Sequence, residues 1–156
     1  VTDACLNQIL VTQTITVDDN INPTASNPAP VTVQCIGDVP AADIAVVTDE
    51  ADNCGTPVVA FVGDVSNGAT CPEIITRTYS VTDACLNQIL VTQTITIDDN
   101  INPTASNPAP LTFQCVADVT APDPAAVTDE ADNCSVPVVA FVSDVSNGAN
   151  CPEFFS

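Results

Sequence analysis

Cysteines and carboxylates are the residues of this sequence that could do chemistry, with eight cysteines and twenty acidic side chains among 156 residues. The sequence contains no histidine, so it lacks the usual general base and any Ser–His or Cys–His nucleophile. One basic residue, Arg77, leaves a formal net charge of −19. That charge repels phosphate backbones and anionic lipids. We therefore expect no enzyme, no nucleic-acid partner and no direct membrane contact.

The cysteine spacing favours disulfides over metal binding. The closest two cysteines, Cys71 and Cys85, are 14 positions apart, so no Cys-x-x-Cys zinc motif is present. Disulfides persist in oxidising compartments, which predicts an extracellular, cell-surface protein. The sequence shows neither a signal peptide nor a long apolar run, and we therefore expect it to be a piece of a longer exported protein.

An internal repeat determines the expected organisation. Residues 1–76 align without a gap on residues 81–156, a period of 80, and 16 of the 76 aligned pairs differ. Each cysteine keeps its register with its copy, as shown by the pairs Cys5/Cys85, Cys35/Cys115, Cys54/Cys134 and Cys71/Cys151. A period of this length is too long for a solenoid turn and suits one small all-β domain.

The linkers between the expected modules are residues 18–23 and 98–103, which precede a proline-rich stretch. With these boundaries, residues 1–22 are the tail, or last strand, of a preceding module. Residues 23–102 form a complete module, and 103–156 form a truncated one.

Alternation of apolar and polar residues predicts strands over 31–34, 45–48, 57–65, 73–82 and 89–97. The segment Ser66-Asn67-Gly68 predicts a turn, and no segment has helical periodicity. The fold class is therefore all-β. We expect tandem immunoglobulin-like β-sandwich modules of 80 residues with about seven strands each. A core this small benefits from disulfides.

Strand topology limits the disulfide pairing. A ten-residue strand spans roughly 33 Å, so Cys71 and Cys85, on either side of the strand at 73–82, lie at opposite ends of the module. The expected bonds are Cys35–Cys71 and Cys54–Cys85, with Cys115–Cys151 repeating the first. Cys5 and Cys134 would then find partners in neighbouring sequence.

The oxygen-rich linkers suggest a cation site, with calcium as the one candidate cofactor. Calcium takes six to eight oxygen ligands, which two adjoining module ends could supply together. The alternative is a solvated acidic cap that keeps the protein soluble. The candidate ligands lie in the two linkers and in loops at the end that the first linker enters: Asp18, Asp19, Asn20, Asn22, Glu50, Asp52, Asn53, Asp83, Asp98, Asp99, Asn100 and Asn102.

The segment 76–88, followed by 91–98 and Pro103, resembles the closing hairpin of hyalin-repeat (HYR-like) modules. The Gln-Cys, Asp-Asn-Cys and Cys-Pro-Glu signatures resemble the repeats of giant adhesins on gliding Bacteroidota, which use the type IX secretion system. The resemblance implies a cell-surface protein involved in adhesion or gliding. Leu6 and Leu86 stand where the family usually has glycine, and a left-handed backbone would strain leucine there.

These observations favour a stiff extracellular stalk or filament region built from similar modules, whose partners are the neighbouring modules of the same chain. Two alternatives remain. Each module could bind surface polysaccharide or another substratum weakly and act by avidity. The chain could also be a filament subunit that assembles by strand donation.

Overall fold

The computed structural model describes residues 1–149 and 152–155. The chain divides into two compact units. Unit 1 comprises Val1–Val31 and Pro40–Thr96, and unit 2 comprises Thr32–Val39 and Ile97–Ser156. The 23–102 and 103–156 module boundaries expected from the sequence stay a prediction.

Four strands form the one sheet seen in the described residues, in the order β1–β4–β3–β2. Their bounds are β1 Val31–Val33, β2 Val58–Ser66, β3 Glu73–Thr82 and β4 Gln88–Ile97. The described helices are short 3₁₀ turns at Ile36–Asp38, Ile44–Val46, Val116–Asp118 and Pro124–Ala126. None of these helices is long and apolar enough to cross a membrane.

The β2–β3 hairpin forms where the sequence predicts a turn between two alternating segments. The strands pair antiparallel from Val58 opposite Thr82 to Ser66 opposite Ile75, with a bulge between Phe61 and Gly63. In the turn, the Asn67 side chain accepts hydrogen bonds from the amides of Ala69 (3.1 Å) and Ile74 (3.0 Å). Gly68 has a φ of 70°, which glycine adopts without steric cost.

Strand β4 places its apolar face in the core. Val91, Ile95 and Ile97 are buried, while Thr94 on the opposite face is exposed. Gln93 interrupts the apolar face and is buried too, with its side-chain amide donating to the carbonyl of Ala29 at 2.9 Å. That bond offsets the cost of burying a polar group.

Strand β3 supplies the other half of the core and holds the single cation of the sequence. Tyr79 and Val81 are fully buried and pack with Val47 and Val91. Arg77 is also buried, and its guanidinium forms a two-point contact with the carboxylate of Asp64, with both N–O distances at 2.9 Å. It also donates to the carbonyl of Pro40 at 2.9 Å. These contacts leave the buried charge paired, and the hydrogen bond to Asp64 is the first cause of the raised pKa of Arg77.

The all-β class is confirmed, and four of the five expected strands are present with bounds within about one residue. The strand expected at 45–48 is wrong, because that segment begins in the 3₁₀ turn Ile44–Val46. The Asp43 side chain accepts a hydrogen bond from the Ala45 amide at 2.9 Å, and this local bond favours the turn over an extended strand. The sandwich of about seven strands is not confirmed.

Candidate functional site

Three carboxylates converge in unit 1. One oxygen each of Asp19, Asp52 and Asp83 lies within 4.8 Å of the other two. They come from three separate parts of the chain: the first linker, the loop before β2 and the β3–β4 turn. They line one pocket of about 210 Å³ together with Cys54 and Cys85. We call Asp19, Asp52 and Asp83 the acidic cluster.

The β3–β4 turn holds Asp83 in place. The carboxylate of Asp83 is buried and accepts hydrogen bonds from the backbone amides of Cys85 and Asn87, both at 2.8 Å. The side-chain amide of Asn87 donates to the other carboxylate oxygen at 2.7 Å. The same amide group donates to the carbonyl of Asp19 at 3.0 Å, which ties the linker to the turn.

The loop and the linker position the other two carboxylates. Asp52 accepts a hydrogen bond from the Cys54 amide at 2.9 Å through one oxygen, and its other oxygen is buried without a hydrogen-bond partner. Asp19 accepts from the Ile21 amide at 3.1 Å and from the side chain of Asn53 at 3.3 Å. Asp52 therefore contributes a buried acceptor that protein groups leave unused, which suits a cation.

Hydrogen bonding and charge set the protonation of this pocket. The amide of Ile21 is the main cause of a lowered pKa for Asp19. The Cys54 thiol has a raised pKa, first because of its hydrogen bond with Asp19, then because of desolvation and the nearby negative charges. At neutral pH Asp19 is therefore ionised and Cys54 is a neutral thiol.

Of the calcium ligands expected from the sequence, the structure brings Asp19, Asp52 and Asp83 together and places Asn53 in contact with Asp19. Glu50 is outside this group of carboxylates, although one of its oxygens is buried without a partner, as is that of its copy Glu130. The remaining first-linker candidates are exposed: Asp18, Asn20 and Asn22.

The second linker repeats part of this arrangement in unit 2. The side chain of Asn133 donates to Asp99 at 3.3 Å, matching the Asn53–Asp19 contact. The amide of Asp98 donates to the carbonyl of Val33 at 2.9 Å, and that of Asn100 donates to the side chain of Gln34 at 3.1 Å. Asn102 is exposed. The second linker therefore runs beside the end of β1 and holds the loop of Asn133 next to it.

A disulfide joins Cys35 to Cys134 within unit 2, with a Cα–Cα distance of 5.1 Å. Cys35 follows β1, and Cys134 lies in the Asp-Asn-Cys loop of the second repeat. The carbonyl of Asn133 lies 3.4 Å from the Cys35 sulfur, and the Cys134 amide donates to Asp132 at 3.1 Å. The bond spans 99 residues, which exceeds the repeat period, so it links one sequence repeat to the next.

This bond corrects the expected pairing of Cys35 with Cys71. The expectation considered only cysteines within one module. In the structure the second linker, anchored by Gln34 and Asn133, brings a cysteine of the following repeat to Cys35. The expected Cys54–Cys85 bond is not present either, because both residues are free thiols, although they line the same pocket. The expected Cys115–Cys151 bond involves a residue outside the described part of the chain.

Sequence reasoning missed three residues that organise these sites: Asn87, Asn133 and Gln34. Asn87 and Asn133 belong to motifs that occur twice, Asp-Ala-Cys-Leu-Asn and Asp-Asn-Cys, and this repetition is the signal that could have drawn attention to them. Gln34 precedes Cys35 in a Gln-Cys pair that is also repeated.

Residues 23–97 match the family model of the HYR-like domain with 4 cysteines. The matched segment contains β1 to β4 together with Cys35, Cys54, Cys71 and Cys85. No match was found among curated proteins or among solved structures. The match supports the HYR-like character expected from the sequence, and such domains are extracellular, non-enzymatic repeat modules of the adhesion type.

Proposed function

We propose that the chain is part of the stalk of a long cell-surface adhesin and acts as a stiff spacer between the cell and an adhesive tip. The sequence resemblance extends this proposal to the adhesins of gliding bacteria. The observation that carries the proposal is the Cys35–Cys134 bond, which links one repeat covalently to the next. A spacer needs this kind of link, because motion at the linkers between repeats would otherwise shorten the stalk and let it bend.

The contacts beside the bond support the same role. The second linker donates backbone hydrogen bonds to Val33 and Gln34, and Asn133 reaches back to Asp99. The linker is therefore fixed on both sides by short polar contacts. A bond that closes a loop of about 100 residues adds roughly 4.7 kcal/mol in the chain-entropy model.

Single-molecule stretching from the two chain ends tests the mechanical role. The suitable variant keeps Cys35 and Cys134 and has serine at the other six cysteines. The bond locks 99 of the 156 residues, which leaves 57 to extend. At 3.3–3.6 Å per residue we expect full extension to roughly 200 Å when oxidised and roughly 540 Å after reduction.

The matched control carries Cys35→Ser and Cys134→Ser as well, and it should extend to the longer value under both conditions. Equal extension of the oxidised and reduced two-cysteine variant would show that this bond does not form, and the covalent basis of the stalk would be lost. Binding of the chain to polysaccharide surfaces in a parallel adhesion assay would favour a weakly adhesive module instead.

We also propose that the acidic cluster binds calcium and stiffens the first linker. Three acidic side chains lie within 4.8 Å of one another, and the one basic residue of the sequence is engaged by Asp64 and does not offset their charge. Calcium accepts carboxylate and carbonyl oxygens, and the partnerless buried oxygen of Asp52 offers one such ligand. The ion would connect linker, loop and turn.

The calcium proposal predicts that added calcium raises the melting temperature of the full chain and that a chelator reverses the effect. At a concentration 100 times the dissociation constant, the gain in unfolding free energy is about 2.7 kcal/mol. Asp83→Asn should abolish the gain. The control is Asp3→Asn, because Asp3 has the same turn contacts in an exposed position outside the cluster. A calcium response that is equal in both variants, or absent from the unmodified chain, would contradict the site.

A further inference from the structure

The loop around Cys54 is built like the loop around Cys134, the cysteine that is already bonded. The side chain of Asn53 donates to the Cys54 sulfur at 2.9 Å, and that of Asn133 donates to the Cys134 sulfur at 2.8 Å. The amide of Cys54 donates to Asp52 at 2.9 Å, and the equivalent bond from Cys134 to Asp132 is 3.1 Å. The two loops share their contact with the linker aspartate as well, at 3.3 Å in both.

Cys115 has the same local structure as Cys35, the other cysteine of the bond. Cys35 precedes a 3₁₀ turn with a φ of −118° and a ψ of 154°, and Cys115 precedes a 3₁₀ turn with a φ of −129° and a ψ of 148°. Both cysteines are preceded by glutamine. Cys54 and Cys115 are exposed free thiols, so each presents a sulfur that a second protein segment can reach.

From this correspondence we infer that Cys54 and Cys115 are interaction sites for a further copy of the 80-residue repeat. Cys115 takes the role of Cys35 toward the next repeat, and Cys54 takes the role of Cys134 toward the previous one. The inference deepens the proposed stalk function and rests on it, since it makes the Cys35–Cys134 bond one of a regular series. The partner repeat can belong to the same longer chain or to a second molecule.

The bond forms by thiol–disulfide exchange with a small disulfide oxidant such as oxidised glutathione. One thiolate attacks the oxidant and releases one reduced glutathione, and the second thiolate then displaces the other. The two protein thiols lose two protons and two electrons, and the oxidant gives two glutathione thiols. The reaction is run at about pH 8.5, near the ordinary pKa of a thiol, where thiolate is present to attack the oxidant.

Cys85 is the competitor for Cys54, since both line the pocket of the acidic cluster. A Cys54–Cys85 bond would belong to a different pairing pattern. In that pattern the cysteine of the loop before β2 bonds to the cysteine of the β3–β4 turn in the same module. That pattern is incompatible with the Cys35–Cys134 bond, which already uses the loop cysteine of the second repeat. An array of equivalent repeats therefore has either bonds between consecutive repeats or bonds within each module, and not both.

Oxidation of the full chain at increasing protein concentration tests the inference. We expect a ladder of covalent oligomers on non-reducing gels that disappears with reductant. Cys54→Ser and Cys115→Ser should each reduce the ladder at least tenfold. An equal mixture of the two variants should stop at the dimer, because only one Cys115 and one Cys54 can then meet. Cys5→Ser and Cys85→Ser, the matched controls, should not reduce the ladder, and Cys85→Ser removes the competitor of Cys54.

A chain lengthened by a second copy of residues 1–80 before Val1 separates the two sources of the partner. It keeps the repeat register, and disulfide mapping of the monomer should find Cys35 of the added copy bonded to Cys54. A Cys54–Cys85 bond, or a ladder that survives Cys54→Ser, would overturn the inference. The stalk proposal would still stand if Cys35–Cys134 were found in the same map, and it would fail with the inference if that bond were absent.

Discussion

Residues 1–16 and 81–96 have the same sequence and different structures. In the second copy Gln88–Ile97 is a strand, β4, with Val91 and Ile95 3% and 0% exposed. In the first copy the equivalent residues form no strand, and Val11 and Ile15 are 66% and 78% exposed. The β-propensity of this segment is therefore insufficient by itself, and the neighbours β1 and β3 make it a strand.

The turn that precedes this segment is the same in both copies. Asp3 accepts hydrogen bonds from the amides of Cys5 (3.0 Å) and Asn7 (2.8 Å), as Asp83 does from the equivalent amides. Leu6 and Leu86 have positive φ values of 67° and 73°. The turn thus depends on contacts among five consecutive residues, whereas the strand depends on distant ones.

Matched alanine substitutions test the strand half of this comparison and should give the largest effect. Ile95→Ala removes a fully buried side chain from β4 and should lower the free energy of unfolding by about 2–5 kcal/mol. Ile15→Ala changes the same residue in the same local sequence, where it is exposed, and should stay within about 0.5 kcal/mol. Urea unfolding of both variants measures the difference.

A large loss of unfolding free energy in Ile15→Ala would contradict this comparison. It would mean that the first copy is packed as β4 is, and the contrast between the two copies would be wrong.

Glycine substitutions test the turn half. A left-handed backbone costs a non-glycine residue roughly 1–2 kcal/mol, and glycine removes this cost. Part of the gain is lost, because glycine also has more conformational freedom in the unfolded chain. Leu86 is exposed, so little packing is lost, and Leu86→Gly should raise the free energy of unfolding by up to about 1 kcal/mol. Leu86→Ala keeps the strain and should give no gain. A gain from alanine equal to that from glycine would rule out backbone strain as the cause.

The smallest effect concerns protonation of the turn in the first copy. The side chain of Asn7, which donates to Asp3 at 2.8 Å, is the main cause of a lowered pKa for Asp3. A carboxylate with a lowered folded pKa stabilises the turn above its ordinary value of 3.8, and the contribution fades as pH falls through the lower value. Carboxyl NMR should show Asp3 titrating below 3.8, and Asn7→Ala should move it upward. An unchanged titration in that variant would disprove the assigned cause.

Sequence reasoning succeeded where the pattern itself decides the structure. The strand predicted over Glu73–Thr82 matches β3 residue for residue, and the segment Ser66-Asn67-Gly68 predicted the turn before it. It failed at Ile44–Val46, where the side chain of Asp43 favours a 3₁₀ turn over an extended segment that would have the same apolar pattern. The structure of residues 8–17 could not be read from their sequence either, because the same residues form β4 elsewhere.

Of the two candidate sites, the acidic cluster was predicted in part from the sequence and the disulfide was not. The sequence analysis predicted which loops lie at one end of the strands. Three of the ligands expected there, Asp19, Asp52 and Asp83, lie together in the structure. The partner of Cys35 was missed because it depends on how the second linker lies against Gln34 and Asn133. Strand order says nothing about a contact that crosses from one repeat to the next.

Disulfide mapping of the oxidised chain tests the central claim, that consecutive repeats are joined by Cys35–Cys134. Cleavage after glutamate, with the chain denatured and unreduced, separates the cysteines into peptides 1–50, 51–73, 74–130 and 131–153. We predict a linked pair of peptides 1–50 and 131–153 that reduction separates, with fragmentation assigning the bond to Cys35 and Cys134. Peptide 1–50 linked through Cys35 to 51–73 instead would contradict the account, since each module would then be closed on itself.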